Sequence, residues 1–172
     1  VSELLRPVPE PQVEQWLSKQ DGRTVYLTAI SEAELRHGLV IMPAGKRRAS
    51  LTDAVDRILR DLRLLFVSHI HGDHHMGVAR LLLERRKLRP TEPLVLVANN
   101  YTRVCLAEYD ALEDLGLRDM HVFDSASLDW QRGDRTWEAG ALARLERVCT
   151  APVSHRMGHC YGLVLQHKHG WK

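Results

Sequence analysis

A chain of 172 residues, 44% hydrophobic and 27% charged, has the make-up of one globular domain or two small ones. Its formal charge of +2 excludes a strongly basic nucleic-acid-binding module, although local patches can still meet phosphates. Three widely spaced cysteines exclude a disulfide framework or a zinc knuckle, and no apolar run approaches the roughly 18 residues that would cross a bilayer. The opening Val1-Ser2-Glu3 has neither an initiator Met nor the shape of a signal peptide. The expectation is therefore the interior of a longer sequence, without a membrane span, in a reducing intracellular compartment.

Taken in chain order, Pro7, Pro9 and Pro11 mark a loop, and a short amphipathic helix follows with Val13, Trp16 and Leu17 on one face. Asp21-Gly22 is a turn, and residues 24–28 read as a strand by their β-branched and aromatic content. Ser31 can cap a helix running through Ala33, Glu34, Leu35 and Leu39, which Pro43-Ala44-Gly45 breaks. Ser50-Leu51-Thr52-Asp53 is a capping-box variant. It predicts the start of a helix with Leu51, Ala54, Val55, Ile58, Leu59 and Leu62 on its inner side, leading into a strand at 64–67. A helix at 78–88, a turn at 90–93, a strand at 94–98 and a helix at about 102–115 capped by Gly116 come next. A short strand at 121–123 precedes a polar loop or irregular hairpin at 124–140. Strands are expected at 143–149 and 162–166, with a turn at 168–170 and Trp171 opening a returning strand. The alternation is that of an α/β protein. The basic runs Lys46-Arg47-Arg48 and Arg85-Arg86-Lys87 read as solvated faces. Trp16, Trp130, Trp137 and Trp171 read as packing anchors, and Cys160 as a small buried residue.

One stretch carries chemistry. The apolar run Leu64-Leu65-Phe66-Val67 leads into Ser68-His69-Ile70-His71-Gly72-Asp73-His74-His75-Met76-Gly77, which holds four of the ten histidines. In extended backbone, residues two apart face the same side, so His69 and His71 can share one metal ion. Asp73 and His74 follow and can face a second ion, whereas His75 is expected to point away. Imidazole with carboxylate suits zinc, iron or manganese, zinc leading for a hydrolase. Such an ion lowers the pKa of its water toward about 7, and two of them can hold the attacking and leaving oxygens of a phosphodiester.

The run from Phe66 to Gly77, followed by a Leu-rich helix with Arg85-Arg86, resembles the signature of the metallo-β-lactamase superfamily. Within it, the tRNase Z (ribonuclease Z) branch is most similar, above all its long eukaryotic form. The resemblance continues through 92–99, 113–115, Pro152-Val153-Ser154-His155 and Tyr161-Gly162 to Gly170-Trp171-Lys172, so it covers about residues 62–172. It implies a partial metallo-β-lactamase-like fold and a zinc-dependent endoribonuclease that cuts precursor tRNA at its 3′ end. It further implies that His69, His71 and a downstream His hold one zinc. His155 matches that third ligand, with His159 the competing choice. Asp73 and His74 match the pair at the second zinc, Asp73 also activating water as the catalytic residue. The family's bridging Asp and last His are expected beyond Lys172, leaving one zinc site filled by side chains, a second incomplete, and weak or absent cleavage. Precursor tRNA is the implied partner, and a homodimer is a further expectation.

Residues 1–61 resemble a different family, the PIN-domain ribonucleases of the VapC toxin type. The resemblance rests on Val1-Ser2-Glu3-Leu4-Leu5-Arg6-Pro7, Trp16-Leu17, Thr24 to Ile30, Ala33-Glu34-Leu35-Arg36-His37-Gly38 and Pro43 to Arg48. PIN nucleases gather carboxylates around Mg²⁺ or Mn²⁺. Glu34 matches one of these; the first would precede Val1. Glu34 alone makes no site and reads as a helix-face carboxylate near Arg36. The chain is thus expected to join an incomplete PIN-like α/β segment (1–61) to an incomplete metallo-β-lactamase-like segment (62–172) near residues 59–64. Three functions follow from these readings: a zinc endoribonuclease of tRNase Z type, a VapC-like Mg²⁺-dependent ribonuclease, or an inactive metal- or RNA-binding pseudoenzyme.

Overall fold

Short apolar runs separated by helices build a three-stranded parallel sheet in the order β1 (Leu64–Val67), β2 (Val95–Ala98), β3 (His121–Asp124). The computed structural model describes residues 10–19, 36–132, 137–138, 145–156, 158–167 and 170–171. The strand expected at 24–28, the cap at Ser31 and Glu34 lie outside them. Helix α1 (Pro11–Ser18), a helical stretch at 36–41, α2 (Lys46–Asp61), α3 (Gly72–Lys87) and α4 (Asn100–Leu112) complete the helical part. A second, antiparallel sheet has the order β4 (Trp137–Glu138), β5 (Leu145–Val153), β6 (Cys160–His167), β7 (Gly170–Trp171). Among the described residues, no helix is long and apolar enough to cross a membrane.

Side chains alternate across a strand, and that alternation sorts the parallel sheet into two faces. Leu65, Val67, Leu94, Leu96 and Ala98 pack with Leu59 of α2, Val78, Leu81 and Leu82 of α3, Leu106 of α4 and Leu115. Leu64, Phe66, Val95, Val97 and Phe123 pack instead with Leu128 and with Val148, Leu163 and Leu165 of the antiparallel sheet. The layers therefore run helices, parallel sheet, antiparallel sheet. Central β2 is buried at every position, as expected of a parallel strand covered on both faces. The Thr150 hydroxyl donates to the Ser125 carbonyl at 2.6 Å and closes the polar seam between the sheets. Arg36 reaches Asp56 of α2 at 3.2 Å and Glu84 of α3 at 3.9 Å, which ties the stretch at 36–41 to the helical layer.

Several boundaries differ from expectation. α2 begins at Lys46, ahead of the capping box, and Thr52 donates back to the Arg48 carbonyl at 2.8 Å inside the helix. Ile58, expected on the inner face, is 46% exposed. α3 begins at Gly72 and not at Val78, so Asp73, His74 and His75 are helical. Asn99 caps α4, its side chain accepting from Thr102 N–H at 2.9 Å. Gly116, at φ +78°, lies past the end of α4 and opens a 3₁₀ turn, Leu117–Asp119, rather than capping the helix. β5 and β6 extend further than predicted, and Trp171 does sit in a returning strand. Trp16 and Trp130 are 61% and 57% exposed, so neither is a packing anchor.

The largest departure is Arg85. Its basic run predicted a solvated face, yet Arg85 is buried, and its Nη2 donates to the carbonyls of Leu62 (3.1 Å) and Glu92 (2.8 Å). These carbonyls precede β1 and β2, so one guanidinium joins two strand entries. Arg86 fits the solvated reading better, pairing with Asp114 and Asp119. Arg85→Met keeps the apolar stem and should lower stability by about 2 kcal/mol through lost charge-assisted hydrogen bonds. Arg80→Met, on the exposed face of α3, should stay within about 0.5 kcal/mol of the parent. Thermal and denaturant melts of the two variants check the difference.

Candidate metal centre

β1 ends at Val67, and the next residues deliver Ser68, His69, Ile70 and His71 at the carboxyl end of the parallel sheet. Ligand sites of open α/β sheets lie at that end. The backbone turns directly from there into α3. The His71 carbonyl accepts from His74 N–H at 2.9 Å and His75 N–H at 3.2 Å, so the helix starts without a capping side chain. His75 lies outside the three-His group, its Nδ1 3.0 Å from the His71 carbonyl oxygen.

The third histidine arrives on the turn between β5 and β6. Two hydrogen bonds pin the end of that turn against the parallel sheet. Tyr161 N–H donates to the Ser68 carbonyl at 3.1 Å, and the buried Asn99 amide donates to the His159 carbonyl at 3.1 Å. Gly158 (φ +65°) and His159 (φ +48°) both take left-handed backbone, which reverses the chain. The reversal sets the His159 ring edge-on to Tyr101, with centroids 5.3 Å apart. His155 is brought to the cluster instead. Ligand atoms of His69, His71 and His155 all lie within 4.8 Å of one another. His69 Nε2 and His71 Nδ1 face each other at 3.1 Å, and the His155 ring lies 4.6 Å from that of His69 and 4.9 Å from that of His71.

Asp73 and His74 occupy the exposed first turn of α3. His74 Nε2 is 3.5 Å from Asp73 Oδ2, and its ring lies 4.2 Å from that of His69. The pair gathers no third His, Cys, Asp or Glu at ligand spacing among the described residues; the three-His group is the one that does. Burial lowers the pKa of His69 from its ordinary value, and repulsion from His74, His155 and His71 adds to the effect against a smaller opposing pull from Asp73. His69 is therefore neutral near pH 7, the form that donates a lone pair. Three imidazole ligands suit a borderline transition metal such as zinc and not Mg²⁺, which demands oxygen ligands. The residues present thus fit the ion expected from the sequence. Asn99 and Tyr161 set the geometry; Tyr161 entered the sequence reading only within the resemblance, and neither was a candidate site residue. Asn99 was the more readable of the two, as an N-cap residue directly after an apolar strand.

No family model matches the chain. Over 134 residues it is 32% identical to human zinc phosphodiesterase ELAC protein 2, covering 70% of this chain and 16% of that protein. Over 123 residues it is 32% identical to the mitochondrial tRNAse Z TRZ4 of Arabidopsis thaliana, covering 66% of this chain and 13% of that protein. A crystal structure of a long form RNase Z from yeast shares the fold, with a TM-score of 0.53 at 18% identity, covering 71% of this chain and 21% of that one. The α/β layers described above accordingly share the fold of part of that yeast protein. More particularly, the chain carries a tRNase Z-like segment, and it spans less than a fifth of the length of the curated relatives it matches. The PIN-like reading of residues 1–61 draws no support from these likenesses.

Two outcomes follow from the geometry. His155→Ala or His71→Ala should weaken zinc binding by more than about 100-fold, since outer-shell partners alone are worth about 10–100-fold, whereas His159→Ala should leave it near the parent value. Competition with a chromophoric chelator measures this. The metal-free protein should also lose stability as pH falls through about 6.5, because the unfolded chain protonates His69 at its ordinary value and the folded chain resists it. Chemical denaturation at pH 7.5 and pH 5.5 reads that change.

Proposed function

We propose that the chain carries the zinc centre of a tRNase Z-type endoribonuclease, which hydrolyses a phosphodiester at the 3′ end of precursor tRNA. The observation that carries this reading is the convergence of His69, His71 and His155 at the carboxyl end of a parallel sheet. Support comes from the likeness to proteins named tRNase Z and zinc phosphodiesterase. His69, His71 and His155 would hold one zinc. When bound, zinc supplies Lewis acidity and lowers the pKa of coordinated water toward about 7. Asp73 would be the catalytic residue: its exposed carboxylate, 3.5 Å from His74, would orient the attacking water and take up its proton. His74 would supply, with Asp73, two ligands of a second and incomplete metal position. Among the described residues this pair gathers no third ligand, so zinc would fill the three-His position first and cleavage would be slow.

The test uses a 3′-extended precursor tRNA with stoichiometric zinc. Slow cleavage at the 3′ boundary is expected, abolished by a chelator and by His71→Ala. Asp73→Asn should lower the rate by about 100-fold or more while retaining one zinc per chain. Cleavage that runs on Mg²⁺ and survives His71→Ala would contradict the proposal.

A further inference from the structure

Resting on the three-His reading above, we propose that Ser68 and Cys160 are positioning residues of the metal centre, which together fix the His69 ring so that Nε2 is the nitrogen offered to the ion. Ser68 Oγ lies 2.9 Å from His69 Nδ1, and Cys160 Sγ lies 3.6 Å from the same nitrogen. The opposite nitrogen, Nε2, faces His71 Nδ1 at 3.1 Å. A neutral imidazole carries one N–H. With Nδ1–H donated to the Ser68 hydroxyl and the thiol sulfur packed beside it, the lone pair stays on Nε2. Turning the ring over would break both contacts at once. A ligating histidine generally gives its second nitrogen to such a partner, which sets ring orientation and tautomer.

The two partners come from different sheets. Ser68 directly follows β1, and the buried Cys160 is the first residue of β6. The Tyr161 N–H donates to the Ser68 carbonyl at 3.1 Å, so the entry to β6 is registered against the exit of β1. That registration is what lets a hydroxyl and a thiol bracket one nitrogen. Both partners are uncharged. A carboxylate in their place would raise the basicity of the imidazole, whereas a hydroxyl and a thiol orient the ring without adding charge. The sulfur sits on the Nδ1 side, away from the nitrogen that faces His71, so it orients a ligand and is not one itself.

The experiment measures zinc affinity of the whole chain by chelator competition, together with the visible absorption of the cobalt form. Ser68→Ala and Cys160→Val, which removes the thiol while keeping an apolar filler, should each weaken zinc about 10-fold and shift the cobalt ligand-field band. Ser68→Thr retains the hydroxyl and should bind as the parent does. The metal-free variants should melt cooperatively near the parent temperature, which separates positioning from folding. Should Cys160→Val not fold, Cys160→Ala makes the same comparison. Unchanged affinity and spectrum in Ser68→Ala and the Cys160 variant would overturn the proposal. So would equal losses in Ser68→Thr and Ser68→Ala, or a strong sulfur-to-cobalt charge-transfer band that vanishes without Cys160. A parent chain that takes up no zinc would overturn the three-His centre as well. A parent that binds alongside variants that bind equally would overturn the positioning role alone.

Discussion

One backbone hydrogen bond, from Tyr161 N–H to the Ser68 carbonyl at 3.1 Å, decides where the site lies. It joins the exit of β1 in the parallel sheet to the entry of β6 in the antiparallel one. His69 follows Ser68 immediately, and the turn that carries His155 ends just before Tyr161. Both sheets have their own apolar reasons to stack, through Phe66, Val95 and Val97 on one side and Val148 and Leu165 on the other. Stacking alone leaves the sheets free to slide. The Tyr161–Ser68 bond, with Asn99 holding the His159 carbonyl one strand over, removes that freedom at the edge where the histidines gather.

Packing three imidazoles within a few ångströms has an electrostatic consequence. Burial, together with the neighbouring rings of His74, His155 and His71, opposes protonation of His69 and lowers its pKa. Three imidazole nitrogens gathered at this spacing could hold a cation of borderline softness. Asp73 and His74 differ in kind. They stand on the first turn of α3, where an acidic side chain is favoured by the helix dipole, and solvent reaches both. One part of the motif is therefore a group of three converging imidazoles, and the other is an exposed Asp-His pair on the first turn of α3.

Much of this was legible in the sequence because it depends on local spacing. Residues two apart on an extended exit place His69 and His71 together, and the alternating apolar runs at 64–67 and 94–98 give the parallel core. The resemblance to tRNase Z named His155 but left His159 open. That the His155 ring joins the cluster while His159 meets Tyr101 goes with left-handed backbone at Gly158 and His159, which spacing does not encode. The start of α3 was missed because a backbone carbonyl, that of His71, does the capping, and no side chain announces it. The length of β5 was missed for a related reason. Pro152 argues against a strand interior, yet among the described residues β4 pairs with Arg147 and Val148 and a bridge joins Asp129 to Thr150, leaving no strand partner at Pro152 on that side. Arg85 could not be read from a basic run, because its partners are backbone carbonyls at two remote strand entries. The contacts of Ser68 and Cys160 with one nitrogen of His69 depend on sheet-to-sheet registration and were equally out of reach.

The central claim, a single nitrogen-rich centre built from His69, His71 and His155, is tested most directly by zinc K-edge X-ray absorption on the protein loaded with one equivalent of zinc. The account predicts a four-coordinate shell with three imidazoles at about 2.0–2.1 Å, no sulfur scatterer, and loss of one imidazole in His155→Ala. A shell containing sulfur, one dominated by carboxylate oxygens, or one unchanged by His155→Ala would contradict it.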